Sequence, residues 1–202
     1  MAVPRVHQSA FTPGEIEFVA GNEKITIIPK AKMNKMSLIQ ACLFFLGKSG
    51  PFQPPLTAEV AIWLALIMKK NNKCSIVCPD WLSLEFLKAK HEHEEQDLDF
   101  STMPFHYMEI AQMLLETAPD DIPNAEQVRT ILKDIRETRQ AKARLGIKEL
   151  DESWLGMKNF SCMEVNEVRP IFCRAYDEIR KLSEVDDVEE EDLSTQGTNT
   201  TF

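Results

Sequence analysis

Nine consecutive residues, Val60 to Met68, run Val-Ala-Ile-Trp-Leu-Ala-Leu-Ile-Met without one polar side chain. A helix of that composition is apolar on almost every face and has to be covered all round. Thr57 is placed to cap it, Glu59 lies in its first turn, and Lys69 and Lys70 lie in its last. Those charges suit the helix dipole, so a helix from residue 57 to about 70 is predicted. The run cannot span a bilayer. The longest stretch without charge, Met36 to Gly47, has 12 residues, against the roughly 20 that a membrane helix needs. Met1 to Ala10 lacks the apolar segment of a signal peptide, so a soluble intracellular chain is expected.

What precedes this helix has β character. Residues 1–14 are polar and carry Pro4 and Pro13, which predicts a flexible N-terminus. Ile16, Phe18 and Ala20 alternate with Glu15, Glu17 and Val19, and Ile25, Ile27 and Ile28 form a β-branched run. Two short strands around a Gly21–Asn22 turn are therefore predicted, in a small β domain over 15–55. The segment Met36–Leu46 is apolar but periodicity does not separate strand from helix. Gly50-Pro51-Phe52-Gln53-Pro54-Pro55 reads as a rigid linker and places a domain boundary near 50–56.

After it the pattern is helical, and a larger bundle-like α domain is expected over 56–183. Cys74, Ile76 and Cys78 alternate in a short extended connector. Asp80 or Ser83 opens a helix with Trp81, Leu84 and Leu87, which dissolves into the charged run His91–Asp97. A helix after Pro104 carries Tyr107, Met108, Ala111, Leu114 and Leu115. Asn124 caps another, with Val128, Ile131, Leu132, Ile135 and Thr138 as its stripe. A helical turn near 151–157 precedes Ser161 and Glu164, a capping box for the last helix, in which Pro170 marks a kink. The fold class is α+β, mostly α, with an acidic disordered tail over 184–202.

Charge and cysteine content narrow the function. Of 32 acids against 23 bases, seven acids and no base lie from Glu184 onward. The body of the chain is thus nearly neutral, which argues against an autonomous nucleic-acid binder. Five cysteines without a CxxC pair suggest reduced, mostly buried thiols. No phosphate loop, dinucleotide fingerprint or nucleophile elbow occurs, and nothing positive supports an enzyme or a cofactor. His91 and His93, two apart on a helix, point away from each other and suit a solvated face better than a metal. Cys74 and Cys78 lack the second pair of a zinc set.

One segment remains. Arg129, Lys133, Arg136, Arg139, Lys142 and Arg144 share a helix with Glu126, Asp134 and Glu137. At spacing three, Arg136, Arg139 and Lys142 form a cationic ridge better suited to carboxylates of a neighbouring protein than to DNA. A DNA-binding accessory subunit using helix 124–145 is the alternative, and a zinc or thiol enzyme using Cys74, Cys78 and His91 is a third reading. The apolar load exceeds what about 130 residues of helical domain cover alone, which points to an oligomer.

Taken in order, the segments Phe11-Thr-Pro-Gly-Glu-Ile-Glu-Phe-Val-Ala20, Ile25-Thr-Ile-Ile-Pro29, Gly50-Pro-Phe52 and Glu59-Val60 with Trp63-Leu-Ala65 are distinctive. So are Lys73-Cys-Ser-Ile-Val-Cys-Pro79 with Trp81-Leu82, Met103-Pro104 and Asp120-Asp-Ile-Pro123. Asp134-Ile-Arg136 with Arg139 and Lys142, and Met163-Glu-Val-Asn-Glu-Val-Arg-Pro170, complete the series. Over residues 11–182 this order resembles subunit 2 of the eukaryotic GINS complex. The resemblance implies a nuclear, non-catalytic scaffold without cofactors, metal or membrane contact, in a heterotetramer with three paralogous subunits. It implies further that the tetramer joins the MCM ring and a RecJ-like accessory factor in the replicative helicase, meeting DNA only through that assembly. Candidate interface residues are Trp63, Leu64, Trp81, Arg136, Arg139, Lys142, Glu164 and Arg169. The chain departs from the family pattern at the apolar insertion Gln40–Leu46, at Ala61 and at Cys78, where the family has proline at the last two.

Overall fold

The computed structural model describes residues 10–37, 48–146 and 157–196. Its first element is a helix, α1 (Pro13–Ala20), where a strand was expected. The reason is local. Thr12 and Glu15 make a reciprocal capping box and Pro13 occupies the first turn, and together these set a helix start that outweighs the alternation of six residues. Ile16 and Ala20, one turn apart, are its buried residues.

Strand β1 (Lys24–Pro29) does form on the isoleucine run, with Ile25 and Ile27 facing the core. It is the centre of a three-stranded antiparallel sheet, between β4 (Ala58–Ala61) and β5 (Cys74–Ile76). Ile25 pairs with Val60 on one side, and Ile27 pairs with Ile76 on the other. A division near 50–56 would therefore cut β1 from both partners; the sheet unit extends through residue 76. Strands β2 (Met36–Ser37) and β3 (Lys48–Ser49) pair antiparallel. They bracket the insertion Gln40–Leu46, which lies outside the described residues, as does Trp154 with most of the turn expected near 151–157.

The apolar helix is shorter than expected. Residues 58–61 are strand, and α2 runs Ile62–Lys70 with no side-chain cap. The first helical amides find other partners: those of Ile62 and Trp63 donate to the carbonyls of Glu23 and Gly21, at 2.9 and 3.0 Å. Orphan donors satisfied by the preceding turn leave Thr57 no capping role. Nor is α2 covered all round. Ile62, Leu64, Ala65 and Met68 are buried, while Ile67 is 51% exposed and Trp63 37% exposed.

A single 3₁₀ turn (Asp80–Leu82) carries Trp81 and leads through the Ser83 cap into α3 (Leu84–Gln96). This helix continues through the charged run because Glu94 is a buried anchor, one heptad from the buried Leu87. Helix α4 (Tyr107–Thr117) is the most buried, and packs on α1, α2 and α5. Helix α5 (Ala125–Gly146) lies along α3. Asn124 precedes it at φ 54, a left-handed conformation that asparagine tolerates better than most residues. Its carbonyl accepts the Val128 amide at 3.0 Å.

Helix α6 (Cys162–Gln196) starts at the expected box: the Ser161 amide donates to Glu164 at 2.8 Å, and the Glu164 amide to the Ser161 hydroxyl at 3.4 Å. Pro170 falls inside it. The acidic stretch expected to be disordered continues its helical backbone to Gln196, since a helix satisfies its own backbone groups without outside contacts. Residues 184–202 hold only Val185, Val188, Leu193 and Phe202 as sizeable apolar groups. Truncation after Ser183 is therefore expected to move the thermal midpoint by about 2 °C or less, measured by differential scanning fluorimetry. A larger drop would show that the acidic segment docks on the body.

Candidate functional site

The predicted cationic ridge is not a surface. The buried stripe of α5 runs Val128, Leu132, Ile135, Arg139 and Ala143, so Arg139 takes a core position at helical spacing. Its side chain has no exposed area. All five guanidinium protons are used. Nε and one Nη2 proton form a fork on the Glu164 carboxylate at 2.6 and 2.8 Å, and Nη1 donates to Glu94 at 2.7 Å. The remaining protons reach the carbonyls of Ser101 at 3.1 Å and Asn159 at 2.6 Å. The Phe100 ring lies 4.8 Å from the guanidinium carbon. Lys142 joins from the next turn, donating to the other Glu94 oxygen at 2.6 Å, and the Tyr107 hydroxyl donates to Glu164 at 3.1 Å.

Two cations and two carboxylates thus balance inside one chain. Burial alone would push the Glu94 carboxyl up, but the Lys142 ammonium, the Ser101 hydroxyl and amide, and Arg139 outweigh it and hold it below the ordinary range. Glu164 is likewise held low against its burial, chiefly by the Arg139 fork. A carboxylate with a depressed folded pKa stabilises the fold fully above its unfolded pKa, and that contribution fades as pH falls through the folded pKa. Melting temperature is therefore expected to fall steeply below about pH 4.3. Glu94→Gln should flatten that slope; an unchanged slope would contradict the assignment.

Three of the other four basic residues of α5 are also engaged, and Arg144 is exposed near its end. Arg136 pairs with Glu167, Arg129 donates to the Leu115 carbonyl at 2.5 Å, and Lys133 lies 3.6 Å from Glu137. A helix so neutralised offers little field to a duplex. The zinc or thiol set does not assemble either. The Cys74 thiol points to the Ala65 carbonyl at 3.7 Å and the Cys78 thiol to that of Pro79 at 3.6 Å, while His91 sits 3.8 Å from Glu95.

Of the candidate interface residues, Arg139, Lys142 and Glu164 are consumed internally, with Arg136 paired beside them. Leu64 faces the core and Trp81 is half-buried against it. Arg169 is exposed. Trp63 alone of the apolar candidates opens outward, and it does so in company. With Phe18 of α1 (70% exposed) and Ile67 (51% exposed), it lines an open groove of about 550 Å³ floored by Met113 of α4. Gly21, at the end of α1, lines the groove beside Trp63; a Cβ there would make only ordinary contacts, 3.7 Å from Trp63 Cβ and 3.4 Å from two α1 carbonyls. Three large apolar side chains on one face have the composition that protein contacts favour. Sequence reasoning missed Phe18 because it assigned residues 15–20 to a strand.

Residues 69 and 120–121 are another missed unit. Lys69 is buried, with Nζ 2.8 Å from both Asp120 and Asp121, and Asp121 also accepts the Ile76 amide at 2.7 Å. The motif Asp120-Asp-Ile-Pro123 thus clamps the sheet to the helices.

The described residues form a small antiparallel sheet joined to a helical array, with an apolar groove left open. Comparison with known proteins agrees. Residues 12–77 match the family described as PSF2 N-terminal domain, and residues 81–182 match the GINS complex protein helical bundle domain. The DNA replication complex GINS protein psf2 of Schizosaccharomyces pombe is 40% identical over 185 residues, covering 92% of this chain and 98% of its own length. The human GINS protein PSF2 is 36% identical over 172 residues, with 83% and 90% covered, and the Xenopus laevis protein is 37% identical over the same shares. The chain belongs to the PSF2 family of GINS complex proteins.

Proposed function

We propose that the chain is a non-catalytic structural subunit of a nuclear GINS heterotetramer, with three paralogous subunits as its direct partners. The observation that carries this reading is the groove of Phe18, Trp63 and Ile67, an apolar face that membership of a GINS complex would cover with a sister subunit. In this role the tetramer scaffolds the MCM ring and a RecJ-like accessory factor, and ATP hydrolysis belongs to the ring. The internal neutralisation of α5 supports contact with DNA only through that assembly. Affinity capture of a tagged copy from S-phase nuclei, read by quantitative mass spectrometry, tests it. Three paralogues in equal amounts, with MCM proteins and a RecJ-like factor enriched, are expected. Capture without the paralogues would contradict the proposal. The isolated chain should show no salt-sensitive duplex binding at physiological ionic strength.

A further inference from the structure

The starts of α4 and α6 meet at a cluster that the fold does not account for. His106 precedes α4, Glu109 lies in its first turn, and Cys162 is the first residue of α6. One ligand-type atom from each lies within 4.8 Å of the other two. Glu109 is 3% exposed and His106 9% exposed, yet neither carboxylate oxygen of Glu109 nor Nδ1 of His106 has a hydrogen-bond partner. Burial pushes the Glu109 carboxyl up, and the nearby amides of Glu109 and Met163 offset this only in part, without hydrogen bonds of ordinary geometry. Buried polar atoms are nearly always partnered, so three orphans converging with a thiol call for a common partner.

We propose that His106, Glu109 and Cys162 bind a zinc-class divalent cation that staples α4 to α6. The donor set carries the identity: thiolate, imidazole and carboxylate suit zinc, whereas calcium and magnesium take oxygen ligands. The spacing fits as well. Zinc bonds of about 2.0–2.3 Å place tetrahedral ligands about 3.5 Å apart, so modest side-chain rotation closes the cluster. His106, the residue before the first turn of α4, stands three positions from Glu109 within that turn. The two helix starts are fixed by bonds that use no ligand atom. The Cys162 amide donates to the Phe105 carbonyl at 2.8 Å, and Tyr107 reaches Glu164. The His106 ring stacks edge-on with Phe105 at 4.9 Å between centroids, which leaves its nitrogens available. Cys162 is half-buried, giving the ion an entry and a water the fourth position.

The test uses the full chain co-expressed with its complex partners, stripped with chelator and reloaded with zinc alone or cobalt alone. One zinc per chain is expected, and cobalt should give a thiolate charge-transfer band with tetrahedral visible bands. Loss of even an outer hydrogen-bond partner of a ligand weakens zinc about 10–100-fold, so Cys162→Ser should weaken it by at least about 100-fold and abolish the band. Should that variant not fold, the unmodified protein decides. Zinc should slow alkylation of Cys162 relative to Cys173, an exposed thiol on the same helix. Absence of the cobalt–thiolate band, a band unchanged in Cys162→Ser, or equal alkylation of Cys162 with and without zinc would overturn the proposal.

Discussion

Arg139→Ala is expected to destabilise the chain by about 3–5 kcal/mol, the cost of leaving buried carboxylates without their partner. Glu94 and Glu164 would keep their places at the α3–α5 contact and the α6 cap, with only Lys142 to offset both. Lysine should not rescue. Its three donors cannot reproduce a fork on Glu164 together with bonds to Glu94 and two carbonyls. Chemical denaturation of Arg139→Ala and Arg139→Lys beside the unmodified chain measures both. A loss below about 1 kcal/mol in Arg139→Ala would show that the network is not holding the bundle. Charge reversal at Arg139 is consequently a folding experiment and says nothing of partner contacts.

The second large effect is expected at the groove. Replacing Phe18 and Ile67 together by aspartate should leave the isolated chain's stability within about 0.5 kcal/mol per site, because both side chains already meet solvent. Binding to a sister subunit should weaken far more. Apolar anchors at the centre of an interface carry about 2 kcal/mol or more each, roughly thirtyfold in affinity per residue. Trp63, the third wall of the groove, should behave likewise as Trp63→Ala. Isothermal titration of the refolded partner subunit against each variant measures this, and unchanged affinity in the double variant would place the interface elsewhere.

How much of this is written in the sequence depends on distance along the chain. Strand β1, the α4 and α5 stripes and the Ser161–Glu164 cap rest on signals a few residues long, and each is legible. The cap of α1 is equally local, since Thr12 and Glu15 stand at capping-box spacing, and it overrides the alternation of residues 15–20. The start of α2 was not legible, because its donors are satisfied by carbonyls of Gly21 and Glu23 some forty positions earlier. The buried network shows both cases. Arg139 falls four residues after Ile135 and Glu94 seven after Leu87, so their burial could be inferred from helical spacing alone. That they meet each other, 45 residues apart, follows only from the packing of α3 on α5. Comparing Arg139 with Arg136 and Lys142, all of one charge, suggested a ridge; comparing it with Ile135 and Ala143 places it in the core.

The central claim is that this chain completes a four-subunit assembly through its apolar groove. Co-expression with the three paralogous GINS subunits of the same organism, followed by native mass spectrometry of the purified material, tests it most directly. The expected species contains one copy of each subunit, and the Phe18→Asp, Ile67→Asp variant should drop out of it while the chain itself remains folded. A well-behaved monomer of the unmodified chain at micromolar concentration, with no paralogue bound, would contradict the account.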